Sequence, residues 1–261
     1  MKRLPIYFVL IFIALFANCT ESFTQKDSVF YVINIRAFDR MQLASLIEKT
    51  KLAKPKLTLL DVRFSEQKDE LQDSILRKVL TKFNSPLIFA TSFSELYRDK
   101  GDDQKFSGKN LQQTNPIFKG DFFTQGHTLT ISEYINDKPV MTSFPLKVSY
   151  ADTMSFHASF LASMAVDSLK AKRFAEQNGN HIQLALNQSR IDQYNQIDLS
   201  FREFENFDWN QLENKIVVFG YIGPTFEDKK YTILNDNDYE YPDTFGVFLV
   251  MEIISQITEI N

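Results

Sequence analysis

The stretch Ser28–Ser92, SVFYVINIRAFDRMQLASLIEKTKLAKPKLTLLDVRFSEQKDELQDSILRKVLTKFNSPLIFATS, decides the fold. Ser28–Ile35 is β-branched and aromatic, the composition of a buried strand. Asp39 with Gln42 three residues on has the spacing of a capping box that opens a helix. Leu43, Leu46 and Ile47 then fall on one helical face, and Pro55 ends the helix. Lys56–Val62 is a second buried strand. Leu71, Ile75, Leu76, Val79, Leu80 and Phe83 form a helical stripe, and Pro86–Ser92 is a third strand. Two strand–helix–strand units in succession predict a parallel sheet with right-handed crossovers.

Beyond this core the pattern is more varied. Residues 97–120 are polar and carry Gly101, Gly108 and Gly120, which reads as a long loop or insertion. Phe122–Ile135 and Val140–Val148 read as paired strands around the turn-forming stretch Asn136-Asp137-Lys138-Pro139. Phe156, Phe160, Leu161, Met164, Ala165 and Leu169 form another helical stripe, and His181–Leu186 reads as a strand. Residues 187–214 are polar with scattered aromatics and show no clear period. Lys215–Ile222 (KIVVFGYI) is the clearest late strand. Val247, Val250, Met251, Ile254 and Ile257 predict a closing amphipathic helix. The expected fold is α/β: a mixed, mainly parallel sheet with flanking helices and an antiparallel insertion, in one domain.

Composition excludes several classes. The 261 residues are 44% hydrophobic and include 25 Phe and 10 Tyr, enough apolar surface to fold rather than stay disordered. Eight Gly and eight Pro are too few for a collagen-like or linker-dominated chain. The net charge of −4 gives no basic footprint for nucleic acid. A single Cys excludes an intrachain disulfide and a thiolate metal cage. Gly101 and Gly108-Lys109-Asn110 have the wrong spacing and ending for a phosphate loop, and Gly220 with Gly223 lacks the third Gly of a dinucleotide turn. There is no Gly-x-Ser-x-Gly elbow. His127, His157 and His181 are far apart in sequence, and Asp236, Asp238 and Glu240 meet Tyr241 and Val247 where a calcium loop needs Gly and Glu. The expectation is a non-enzyme without cofactor or metal.

The N-terminus sets the destination. Lys2 and Arg3 precede an apolar run of 14 residues, Leu4–Ala17, and then Asn18, Cys19 and Thr20. As a helix the run would rise about 21 Å, short of a ~30 Å hydrocarbon core, so an export signal fits better than a span. Residues 1–19 are thus expected to be an export signal, 20–27 a tether and 28–261 an extracytoplasmic domain. Cys19 stands where a bacterial lipoprotein signal carries its lipid-accepting thiol, although Phe16 and Asn18 depart from that signal's usual residues. Plain cleavage and an uncleaved N-terminal anchor are the alternatives.

Three stretches together carry a family resemblance. The first is Arg36–Phe64, ending Leu59-Leu60-Asp61-Val62-Arg63-Phe64. The second is Asp73 with its helix and the Pro86–Ala90 strand. The third is Leu212–Gly220, followed by Asp228, Thr232, Pro242 and Gly246-Val247. In order and spacing they resemble the type-two CHASE domain, a cyclase/histidine kinase-associated sensory extracellular domain, over roughly residues 28–258. Val250-Met251 stand where that family commonly has a His-Ala pair, and Ile233 where it has Pro. The resemblance implies an extracytoplasmic sensory or ligand-binding module anchored at the cell envelope. With no output domain in this sequence, it would signal through a partner.

In open α/β sheets, ligands sit beyond the carboxyl ends of the strands. Asp61, Ser92 and Gly220 lie at such ends, Asp228 follows in a loop, and Phe64 is a candidate apolar wall. The competing reading makes Asp61 a turn cap, Phe64 core and Gly220 a helix-packing glycine. At the level of the whole protein the ligand is an unknown small molecule. The alternative is a structural or protein-interaction envelope lipoprotein that binds a protein partner and no small molecule. An exported hydrolase using Asp61 and Asp228 has no motif behind it.

Overall fold

A computed structural model describes residues 29–35, 38–83, 85–119, 123–198, 200, 203–223, 228–234 and 242–259. The expected export signal and tether, with Cys19, and the acidic stretch Asp236–Glu240 lie outside the described residues. The chain is a mixed α/β fold, as the sequence predicts.

The elements of the first half are β1 (Phe30–Asn34), α1 (Arg40–Leu52), β2 (Leu57–Leu60), α2 (Glu70–Leu80), β3 (Leu87–Arg98), β4 (Phe106–Gln112), β5 (Phe123–His127), β6 (Ile131–Ile135) and β7 (Lys138–Pro145). The second half has β8 (Lys147–Tyr150), β9 (Thr153–Phe156), α3 (Ala158–Val166), α4 (Ser168–Asn178), β10 (His181–Gln183), α5 (Gln188–Ile191), β11 (Asn195–Ile197), β12 (Ile216–Gly220), β13 (Lys229–Thr232), β14 (Thr244–Phe245) and α6 (Gly246–Thr258).

The main sheet runs β11-β1-β12-β2-β3, all parallel, and β5 continues it in parallel beside the first half of β3. The strands β1, β2 and β12 are buried along their whole length, so they read as unbroken apolar runs. Alternate residues feed two layers. Tyr31, Ile33, Val217 and Phe219 point to the side of α1 and α2, while Phe30, Val32, Ile216 and Val218 pack with α3 and α6. Each such apolar side chain contributes about 1.5–3 kcal/mol by leaving water. The capping box is present: the Asp39 carboxylate accepts from Gln42 N at 2.8 Å, and the Gln42 side chain accepts from Asp39 N at 3.1 Å. A cap of this kind is worth ~1 kcal/mol.

A second sheet, β10-β7-β13-β14 with β6 also paired to β7, covers the far side of α6. Its β6–β7 hairpin turns at Asn136 (φ 50°) and Asp137 (φ 60°). Positive φ at both central residues matches the right-handed strand twist, and Asn and Asp tolerate it.

Several local expectations are corrected. Residues 97–120 are not simply a loop: β3 runs on to Arg98 and pairs antiparallel with β4. Both strands expose many side chains there, which is why they read as polar. Phe122–Ile135 is two strands, not one. The break at Thr128–Thr130 sends β5 into the main sheet and β6 into the second. Val140–Val148 likewise breaks at Leu146, and β8 leaves for the main-sheet extension formed by β4, β8 and β9. Of the stripe from Phe156 to Leu169, Phe156 ends β9 and the rest is two helices sharing Asp167, which ends α3 and caps α4 by accepting from Lys170 N at 3.0 Å. Finally, α6 is not amphipathic. It is buried on every side because a sheet lies on each flank.

The full burial of α6 includes Glu252, which has no exposed surface. Its carboxylate accepts from Arg190 through Nε and Nη2, both at 2.8 Å, from Asn187 N at 2.9 Å, and from the Tyr194 hydroxyl. The bidentate fork satisfies the charge that burial would otherwise penalise. It also fixes α6 to the α5–β11 segment.

Candidate functional site

The carboxyl end of β2 and the middle of β3, where Ser92 lies within the strand and not at its end as expected, open into a cavity of about 710 Å³ between the main sheet, β13 and the first half of α6. That volume lies within the ~300–1,000 Å³ usual for small-molecule sites. Asp61 and Arg63 follow β2, Thr91 and Ser92 lie on β3, and Gln112 ends β4. Asp228 and Lys230 enter from β13, and Leu249, Val250 and Ile253 of α6 form the apolar floor. His157, at the start of α3, closes the inner end.

Three of the five expected site residues meet here: Asp61, Ser92 and Asp228. Phe64 and Gly220 do not line the cavity. Phe64 is turned into the core on the α1–α2 side, where its ring lies 6.2 Å from that of Phe89 and 5.5 Å from that of Phe118. Gly220 is buried against α6. A Cβ there would stand 2.5 Å from a methyl of Val247, so Gly is needed for the helix to approach. For these two residues the packing alternative is the correct one.

The polar contributors Arg63, Lys230, Thr91, Gln112 and His157, and the apolar floor from α6, were not among the expected site residues. Arg63 and Lys230 each stand two residues after one of the chosen aspartates, on the same side of an extended chain. That spacing was the available signal. Thr91 and His157 had none, since their position depends on β5 and α3 closing over them.

The electrostatics are unusual. The Asp61 side chain forms no hydrogen bond or ion pair among the described residues. Burial, reinforced by the neighbouring Asp228, pushes its pKa up to about 7, with Arg63 and Lys230 opposing. Burial also raises Asp228, against the pull of Lys230, whose Nζ lies 3.9 Å from its carboxylate. The Asp228 backbone accepts from Gly246 N at 3.1 Å, tying this loop to the first turn of α6, which has no side-chain cap. Arg63 donates through Nη1 to Ser92 Oγ and Gln112 Oε1, and its other N–H groups stay free among the described residues. The Thr91 hydroxyl is buried with no hydrogen-bond partner among the described residues.

His157 Nδ1 accepts from Ser159 N at 3.2 Å, which leaves its proton on Nε2. Its ring stands edge-on to that of the fully buried His127, with centroids 5.1 Å apart. Burial pushes His157 down to about 3, a little offset by the Leu129 backbone. Burial and His157 lower His127 well below the ordinary value, with the Ser155 backbone opposing. Both rings are neutral near pH 7. Among the described residues no cluster of three or more His, Cys, Asp or Glu is arranged to hold a metal ion.

A mixed α/β sheet with a polar cavity at its strand ends is the architecture in which open sheets hold ligands. The family model of the CHASE2 domain matches residues 23–261, and the chain belongs to that family. CHASE2 domains are extracellular sensory domains, so the protein is an extracytoplasmic sensory module. No curated protein and no solved structure matches the chain. No helix among the described residues is long and apolar enough to cross a membrane.

Proposed function

We propose that this module senses by binding a small polar molecule in the cavity between Asp61 and Asp228, and that it binds without catalysis. The observation behind this reading is the half-buried Asp61 carboxylate, which faces the cavity and is matched by no donor among the described residues. A group in that condition is costly to the fold unless something else completes it. In the same reading the chain is held at the cell envelope through its N-terminus, by lipid on Cys19, and passes its signal to a partner protein.

The test is a thermal-shift screen of the purified chain against metabolites, ions and cell-wall fragments. A ligand at ~100 times its Kd adds about 2.7 kcal/mol. For a chain of this size that raises Tm by roughly 5–10 °C. The shift is expected to vanish in Asp61→Ala and in Thr128→Trp, which puts a bulky ring on the cavity lining. A broad library without a hit, or a hit untouched by both variants, would remove the site. For the anchor, Cys19→Ala should abolish fatty-acid labelling.

A further inference from the structure

The cavity carries two carboxylates and two cations, and their arrangement is uneven. Asp228, just before β13, and Lys230, on it, stand together at a separation too long for a strong ion pair. Asp61 has no partner, while Arg63 is steered by Ser92 and Gln112 toward the β3–β4 wall with donors to spare. A ligand bearing only positive charge would meet Arg63 and Lys230 uncompensated. A purely anionic one would meet Asp61 and Asp228. A ligand with one charge of each sign on neighbouring atoms satisfies the free members of both pairs and adds no net charge to a partly dehydrated site. The buried, unpartnered Thr91 hydroxyl offers a further hydrogen bond on the floor.

We propose that the cavity takes a small zwitterion, with its cationic nitrogen at Asp61 and Asp228 and its anionic group at Arg63 and Lys230. This rests on the reading of the cavity as the sensory site and names the ligand's chemistry. It has a proton consequence. A cationic nitrogen favours ionised Asp61, so binding tightens as pH rises through about 7 and levels off above it. The groups facing Asp61 are Asp228, Arg63 and Lys230; Asp228 adds to burial in raising its pKa, and the two cations lower it, as a bound cationic nitrogen would.

The experiment uses the purified chain with millimolar serine, glutamine and glycine betaine as zwitterions. Propionate and ethylamine serve as single-charge controls, and glycerol as the neutral one. At least one zwitterion is expected to raise Tm by several degrees and the controls by none. Asp61→Asn and Arg63→Gln should each lose the shift, read against that variant's own unliganded Tm at the same pH. Calorimetric affinity should rise as pH passes through about 7 in the native chain, and Asp61→Asn should show no binding heat at any pH in that range. A control that matches the zwitterions, with its shift lost in Thr128→Trp, overturns the zwitterion and leaves the cavity as the site. A zwitterion shift that survives Thr128→Trp overturns both. No shift from any zwitterion, or a full shift in Asp61→Asn, overturns the zwitterion.

Discussion

Replacing Glu252 by Ala tests whether the buried polar cluster on α6 holds the fold together. The carboxylate has no exposed surface and accepts two bonds from Arg190, one from Asn187 N and one from the Tyr194 hydroxyl. Truncation leaves the guanidinium, whose side chain is 18% exposed, with its charge poorly solvated, and orphans the Asn187 N–H. Tyr194 keeps a weak alternative in Ser255 Oγ at 3.3 Å. Breaking one side of a buried pair costs about 3–5 kcal/mol. At ~2–4 °C per kcal/mol this predicts a fall in Tm of roughly 6–20 °C. Glu252→Gln should be nearly as costly, because its amide presents donors to donors. The companion measurement is the double variant Glu252→Leu with Arg190→Leu. It removes both charges and should recover most of the loss, since a buried pair exchanged for apolar side chains is often close to neutral. Chemical denaturation of the four proteins settles it. If Glu252→Ala costs less than about 1 kcal/mol, the cluster is not the lock described here.

Further outcomes follow from the same geometry. Asp61 has a folded pKa of about 7 against an ordinary 3.8, so its proton stabilises the native state at low pH, and that contribution is lost as pH rises through about 7. Asp61→Asn should therefore melt above the native chain in alkaline buffer, with the gap closing toward pH 4, read by calorimetry across pH. His127 and His157 are held neutral, so stability is lost as pH falls below 6.5 toward about 3, where the unfolded chain takes up protons first. His127→Phe, in a site flanked by Phe93, should shift the acid-unfolding midpoint followed by circular dichroism to lower pH. Gly126→Ala would put a Cβ 2.6 Å from the Ala158 Cα, a backbone atom at the start of α3, and should cost about 1–3 kcal/mol. Gly101→Ala meets its nearest atom at 3.6 Å and should be silent in the same denaturant titration.

What the sequence made legible follows from burial. β1, β2 and β12 are covered on both faces, and their continuous apolar runs can be read without tertiary knowledge. The Asp39–Gln42 box is equally local. The second half of β3 hides because its side chains face solvent, as in the segment Ser94–Arg98, where only pairing with β4 makes it a strand. The nature of α6 was hidden by Glu252, which breaks an apolar run in sequence yet has no exposed surface in space. The strand-end rule brought Asp61 to the cavity because it concerns chain direction alone; Ser92 and Asp228 line the same cavity from the middle of β3 and from just before β13. It failed for Phe64, whose side depends on how the chain turns after β2, and for Gly220, whose neighbour is a helix 26 residues later in the sequence, at Gly246.

The position of β12 bears on how the chain reaches its native state. β12 lies between β1 and β2, pairing Val32 with Val218 on one side and Leu59 on the other. Until residues 216–220 have emerged, β1 and β2 have no shared neighbour, and their apolar backbone edges stay open. The central pairing spans more than 150 positions of sequence, a separation that slows folding through loop closure. A chain crossing a membrane amino end first would thus keep the facing edges of β1 and β2 unpaired until β12 had crossed, although β2 can already pair with β3. It would be most exposed to strand-to-strand aggregation in that interval. Refolding of this domain is expected to be a late, concerted insertion of one strand rather than a stepwise growth from the N-terminus.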